Sequence, residues 1–173
     1  SLIVRDPVNG RLSGNENAFV IATNVNTGSL ETSGFDLVGT YDFEIGDLGS
    51  VRVDYTGTYL DSLEKVPLPG EPAFECAGFF SPQRAQCGVS SPTYRHRVPI
   101  TWQSNWNNDF SAQLAWRHFG SVDQFNTNGD TLISRLGSRN YVDLSLRATV
   151  LDFVDLRFGV NNLLDKQPPV SNQ

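Results

Sequence analysis

The chain has 173 residues and a formal net charge of −6 at pH 7, and 18% of its residues are charged. This acidic balance argues against nucleic-acid binding, which requires a basic surface. The length suffices for one domain. The chain has no run of about eighteen apolar residues, so no membrane helix is predicted. Frequent glycine and 11% aromatic residues are typical of an all-β protein.

Alternation of apolar and polar residues predicts seven β-strands, near 18–26, 33–44, 50–61, 94–106, 110–120, 139–150 and 153–162. The pattern is clearest in YVDLSLRATVLDFVDLRFGV, residues 141–160, which alternates, breaks briefly and alternates again. This is the signature of a hairpin. We therefore predict an antiparallel, up-and-down sheet. Pro99 falls within a predicted strand, where it predicts a bulge or a locally unpaired position.

The predicted connections alternate between short and long. Short turns lie at 44–49, 107–109 and 151–152, whereas 62–93 and 121–138 are long and polar; a brief loop near 27–30 is the exception. Long loops are uncommon in compact soluble domains. Tight turns at one end and long loops at the other are typical of outer-membrane β-barrels.

Parity divides each strand into two faces. One, the uncharged face, includes Phe35, Leu37, Tyr41, Phe43, Val51, Val53, Tyr55, Tyr59, Val98, Ile100, Trp102, Trp106, Phe110, Leu114, Trp116, Val142, Leu144, Leu146, Val154, Leu156, Phe158 and Val160. The other, the charged face, includes Arg52, Asp54, Arg97, Arg117, Asp143, Arg147, Asp155 and Arg157. A membrane barrel and a secreted antiparallel sandwich both fit this alternation.

Two features favour the barrel. Aromatic residues of the uncharged face cluster near strand ends, where Trp and Tyr favour the membrane–water boundary. The predicted strands are also long enough for the roughly 9–11 residues that a tilted bilayer-spanning strand needs, against about 5–6 in globular sheets. A sandwich that binds a partner through its long loops remains the alternative.

Four segments carry a resemblance to a known family: ETSGFDL at 31–37, YRHR at 94–97, SRNYVDL at 138–144 and VNNLLDKQPP at 160–169. In this order they resemble TonB-dependent outer-membrane receptors, over roughly residues 17–169. The last segment is the most specific of the four.

The resemblance implies a transmembrane barrel of about 22 strands with a plugged lumen in the bacterial outer membrane. Residues 1–173 would form a C-terminal portion of it, with the plug and a final strand absent. The partners would be outer-membrane lipid, the TonB system acting through the plug, and a small nutrient. That nutrient would be a ferric siderophore, cobalamin or an oligosaccharide, and the charged face would line the lumen. No cofactor is implied.

The long loops carry the candidate site residues. Cys76 and Cys87 predict a disulfide rather than a metal site, since further ligands are missing nearby. Aromatic and arginine side chains dominate recognition sites, which makes the following loop residues candidate ligand contacts: Phe74, Phe79, Phe80, Arg84, Phe125 and Arg135.

Other motifs have simpler interpretations. Asn126–Asp130 (NTNGD), near Asp123, loosely resembles a calcium loop but is first of all a turn signal. His96 and His118 are expected as rim histidines in water rather than contacts of a metal chelate. No nucleophile elbow, P-loop or zinc motif is present, and no Ser/His pair suggests a lipid-processing barrel enzyme. We therefore expect no catalysis.

Overall fold

The computed structural model describes residues 3–12, 18–20, 28–81, 87–105, 110–125, 134–150 and 154–169. Twelve strands occur in these ranges: β1 (Ile3–Val4), β2 (Phe19–Val20), β3 (Ser29–Glu44), β4 (Ser50–Val66), β5 (Phe74–Glu75), β6 (Phe79–Phe80), β7 (Tyr94–Gln103), β8 (Ser111–Phe119), β9 (Val122–Gln124), β10 (Arg135–Leu136), β11 (Arg139–Val150) and β12 (Val154–Val160). A 3-10 turn, Gly46–Leu48, joins β3 to β4. The described residues include no helix long and apolar enough to cross a membrane.

Six long strands form one antiparallel sheet in the order β12-β11-β8-β7-β4-β3, and β5 also pairs with β4. This confirms the predicted antiparallel all-β fold. The sheet has a turn end, where residues 45–49 connect β3 to β4, and a loop end, where the long connections leave. The predicted strand 18–26 does not join this sheet in its described part, because Phe19–Val20 pairs with Ile3–Val4 in a separate sheet.

β4 is longer than the alternation predicts, since it runs to Val66 rather than ending near 61. The pairing between β3 and β4 shifts by one residue next to Ser33 and Gly34, which leaves Asp61 unpaired. A bulge of this kind reverses the parity of the residues beyond it. The sequence pattern therefore ends at Asp61 although the strand continues.

The cross-strand register places the uncharged residues of neighbouring strands directly opposite one another. Leu114 lies opposite Ile100 on one side and Leu144 on the other. The charged face is equally continuous, because Arg97 lies between Thr56 and Arg117. Parity in single strands thus becomes two contiguous surfaces across the sheet.

Pro99 interrupts the pairing of β4 with β7 without changing its register. Val53 pairs with Ile100 and Thr56 with Arg97, while the two positions between them form no ladder pair. Because the offset is the same on both sides, Pro99 marks a locally unpaired position and not a bulge. Its missing N–H explains the gap.

The long connections build a small structure of their own, here called the loop layer: residues 67–81, 87–93, 121–125 and 134–138. Within it, β9 pairs with β6 on one side and with β10 on the other. Phe80, Val122 and Leu136 form a buried cluster, and a disulfide joins Cys76 to Cys87, whose Cα atoms are 5.3 Å apart. The predicted disulfide is confirmed, whereas the sequence pattern predicts neither the short strands nor the buried cluster.

The large sheet has no comparable core. Among the described residues of its six long strands, Val51 and Ala115 are the buried hydrophobic side chains, whereas Leu114 is 43% exposed and Phe158 is 60% exposed. A β-sandwich would bury one whole face against a second sheet. No second layer covers the uncharged face within the part of the chain that the structure describes, so the sandwich alternative finds no support.

Candidate ligand-facing and lipid-facing surfaces

The loop end of the uncharged face carries a belt of polar aromatic side chains. The hydroxyls of Tyr55 and Tyr94 are 2.9 Å apart, and Trp116 donates its indole N–H to the Asn140 side chain over 2.9 Å. Gly57 makes this arrangement possible, because a Cβ there would collide with the ring of Tyr55. The Tyr55 ring thus leans over the glycine toward the loop end.

A second aromatic group lies at the turn end of the uncharged face. The Trp102 indole N–H donates to the Leu48 carbonyl over 3.0 Å, and the Trp102 and Phe110 rings meet edge to face, with centroids 5.8 Å apart. Between the two belts lie aliphatic residues, among them Val53, Ile100, Leu114, Leu144 and Val160. An apolar band between two aromatic girdles is typical of the outer surface of a membrane β-barrel.

The two histidines of the loop end belong to the uncharged face. The His96 and His118 rings stack with centroids 5.1 Å apart. The His96 and Trp116 rings are nearly perpendicular, with centroids 4.4 Å apart. Both ring nitrogens of His96 are buried without a hydrogen-bond partner. His96 is therefore packed among rings rather than freely solvated. No group of three possible metal ligands occurs among the described residues, and 126–130 lie outside them.

Ion pairs cross the charged face. Arg117 holds Asp143 through two hydrogen bonds of 2.6 and 2.9 Å, and its guanidinium lies 5.3 Å from the centre of the Tyr141 ring. Two further pairs lie nearer the turn end: Arg52 with Asp42 at 2.7 Å and Arg147 with Asp155 at 3.0 Å. The eight charged residues selected from the sequence thus share one face, and opposite charges stabilise neighbouring strands.

Asp143 also explains the local structure of the VNNLLDK segment. Its carboxylate accepts the Asn162 amide over 2.8 Å. Asn162 then closes a turn, since its side chain accepts the Lys166 amide over 2.9 Å and donates to the Lys166 carbonyl over 3.1 Å. Asn162 adopts a left-handed backbone conformation, with φ 56°, which asparagine tolerates better than most residues.

The candidate ligand contacts in the loops differ in exposure and in the residues they contact. Phe125 packs edge to face against Phe74 and Phe79, with ring centroids 5.6 and 5.9 Å apart. Phe80 is only 7% exposed, so its role in the loop layer is packing. Arg135 donates to Ser121 over 2.8 Å and lies 3.7 Å from Asp123. Arg84 lies outside the described residues.

Sequence reasoning missed Glu75, which anchors the loop layer to β4. Its carboxylate accepts hydrogen bonds from the amides of Leu63 and Ala77, over 2.9 and 2.8 Å, and from the Ser62 hydroxyl over 2.7 Å. Burial raises the pKa of the Glu75 carboxyl, but these hydrogen bonds together outweigh it, and the pKa lies below its usual value. No local motif marks such a residue.

A family model described as TonB dependent receptor-like, beta-barrel matches residues 1–163. The chain belongs to this family. The match confirms the resemblance to this family, and it places the receptor in the bacterial outer membrane. Neither the curated proteins nor the solved structures compared with this chain gave a match.

Membership of the family also gives the sheet its broad role. The TonB-dependent receptors are outer-membrane receptors that act in transport, and they are not enzymes. The six-stranded sheet is therefore part of the wall of a transmembrane β-barrel.

Proposed function

We propose that the receptor binds a scarce nutrient at the outer face of the cell and imports it with energy supplied by the TonB system through the plug. Ferric siderophores, cobalamin and oligosaccharides are the candidate ligand classes, which makes iron uptake one possible role. The described part of the wall performs no chemistry in this account. It supplies a lipid-compatible surface, a charged lumen and loops that meet the ligand.

The uncovered uncharged face is the observation that carries this proposal. Phe35, Ile100, Leu114 and Leu156 remain between 42% and 75% exposed, and aromatic belts bound the apolar band at both ends. We infer that this face contacts lipid and that the charged face, with its ion pairs, lines a water-filled lumen. Backbone groups at the free edges of β3 and β12 would be costly in lipid, so further strands must pair with these edges in the closed barrel.

The loop layer supports the binding role. Phe74, Phe79 and Phe125 form a ring cluster in the same loop layer as the disulfide and the buried cluster. Rigid aromatic side chains supply contact area at low entropic cost. We propose that this cluster and the upper lumen meet the ligand first.

Uptake assays test the proposal. Cells with and without the receptor gene are given radiolabelled cyanocobalamin, iron-loaded ferrichrome and maltohexaose in turn. We expect receptor-dependent uptake of one class, lost in otherwise identical cells that lack TonB. Uptake that is the same without the receptor, or that persists at full rate without TonB, would contradict the proposal.

A further inference from the structure

The charged face is not uniform along its length. The two rows nearest the loop end that β3, β4, β7, β8 and β11 all share contain, in strand order, Asp36, Thr58, Arg95, Phe119, Arg139 and, one row below, Val38, Thr56, Arg97, Arg117, Tyr141. These rows hold four arginines against one carboxylate, which lies on the edge strand β3. We call the four arginines and the two rings, Phe119 and Tyr141, the arginine surface.

The rows nearer the turn end have the opposite balance. Among the described residues they hold the three arginines Arg52, Arg147 and Arg157 against the five carboxylates Glu44, Asp42, Asp54, Asp143 and Asp155. A cationic zone therefore lies on a face that is otherwise balanced or acidic, in a chain whose net charge is −6. Such a concentration of one sign of charge attracts ions of the opposite sign.

The cations of the arginine surface are poorly neutralised. Arg97 lies directly opposite Arg117, and like charges in this position destabilise a sheet. Asp143 bonds Arg117, but neither Arg95 nor Arg97 has a carboxylate within the 4.0 Å ion-pair distance among the described residues. Both side chains are exposed. The Nε of Arg139 is buried without a hydrogen-bond partner.

Two adjoining cavities surround this surface. One, of about 300 Å³, is lined by Thr56, Thr58, Arg95, Arg97 and Arg117. The other, of about 250 Å³, lies between the sheet and the loop layer and is mainly apolar, with Pro92, Val122, Leu136 and Tyr141 in its wall and Arg139 beside them. Phe119 lines both cavities. Both cavities present mainly apolar surface, and arginines lie among the lining residues of each.

We propose that the arginine surface binds an organic anion that carries carboxylates on an aromatic ring or another apolar group. The carboxylates lie against Arg95 and Arg97, whose guanidinium forks match their geometry. The apolar part lies against Phe119 and the second cavity, and Arg117, which is bonded to Asp143, lies beside the site. The inference rests on the proposed nutrient-binding function and narrows its ligand class from neutral and charged nutrients to anions.

Fluorine NMR on the receptor purified from outer membranes tests this inference, with tetrafluorophthalate as the probe and tetrafluorobenzene-1,2-dimethanol as its neutral counterpart. We expect receptor-dependent line broadening for the dianion that weakens as NaCl is raised, and little for the diol. Arg97→Gln should weaken dianion binding by about tenfold, in keeping with the loss of a charged hydrogen bond. Phe119→Ala should weaken it as well.

Arg52→Gln is the matched control, because Arg52 lies on the same face near the turn end and is paired with Asp42. It should change the affinity by less than about twofold, since an exposed ion pair contributes little. Absence of dianion binding, equal binding of the diol, or an equal loss in Arg52→Gln would overturn the inference. Unchanged unfolding temperatures of Arg97→Gln and Arg52→Gln exclude a folding defect as the cause of any loss of binding.

The two proposals fail separately. If the uptake assays show TonB-dependent import of maltohexaose while the dianion does not bind, the receptor function is supported and the anion site is contradicted. If the dianion binds through Arg97 but no import depends on TonB, the anion site is supported and the transport role is contradicted.

Discussion

The loop layer and the large sheet are stabilised in different ways. The loop layer buries Phe80, Val122 and Leu136 and is joined internally by a disulfide, as a small water-exposed structure must be. The sheet leaves its large apolar side chains uncovered and is held by strand pairing. We expect this difference if water surrounds the loop layer and lipid contacts the uncharged face of the sheet.

The largest expected effect comes from a charge on the uncharged face. Leu114→Arg should destabilise the barrel by about 2–4 kcal/mol, because an arginine near the bilayer midplane loses its hydration. Ser145→Arg is the control, since Ser145 is exposed on the charged face beside Leu144, the cross-strand partner of Leu114. It should cost less than about 0.5 kcal/mol. Urea unfolding in lipid vesicles measures both; equal costs would remove the distinction between the faces.

Removal of the disulfide should affect the loop layer alone. The double variant Cys76→Ser, Cys87→Ser should lower its local stability by about 2–3 kcal/mol, because the unfolded loop regains conformational freedom. Protease cleavage within the loops on intact cells should become faster, while the unfolding temperature of the barrel stays unchanged. A barrel that unfolds at lower temperature would mean that the two regions are one cooperative unit.

Two glycines of the uncharged face offer a matched pair. Gly57→Ala should cost about 1 kcal/mol, since the new Cβ displaces the Tyr55 ring and breaks its hydrogen bond to Tyr94. Gly39→Ala meets open space and should be neutral or stabilise slightly through lower unfolded-state entropy. Unfolding of both variants in vesicles gives the difference, and a cost at Gly39 equal to that at Gly57 would exclude this account of the belt.

The smallest effect concerns acid. The Glu75 carboxyl has a lowered pKa in the folded loop layer, so its contribution is present above the unfolded pKa of about 4.3. It is lost as pH falls through the lower folded pKa. Loop cleavage by an acid-stable protease should therefore accelerate below about pH 4, by an amount equivalent to less than about 1 kcal/mol for an exposed carboxylate.

Glu75→Gln should remove most of this acid sensitivity. Glu64→Gln is its control, because Glu64 lies directly opposite Glu75 and also opposite Glu31 but accepts none of the three hydrogen bonds. It should retain the acid-dependent acceleration. If both variants lose it, repulsion within the glutamate row and not the Glu75 hydrogen bonds sets the pH dependence.

The sheet could be predicted from sequence to the extent that alternation is local. Six strands, their faces and the eight charged residues of one face follow from a period of two. The continuation of β4 could not be predicted, because the bulge at Asp61 reverses the parity. The pairing of β6 with β9 joins residues more than forty positions apart, and nothing in either segment specifies the other.

The arginine surface shows the same limit at the candidate site. Arg97 and Arg117 could be assigned to one face by parity. Their direct opposition follows from the register of β7 with β8, which depends on the turn between those strands. Glu75 was missed because its partners are backbone amides, which have no sequence signature.

Spin-label accessibility in lipid vesicles shows directly whether the uncharged face contacts lipid and the charged face contacts water. Labels are attached to a cysteine introduced at Leu114 in one sample and at Ser145 in another, and their collision rates with oxygen and with a water-soluble nickel chelate are compared. We expect position 114 to collide mainly with oxygen, which concentrates in hydrocarbon, and position 145 mainly with the nickel chelate. The reverse pattern, or nickel access at both positions, would contradict this expectation.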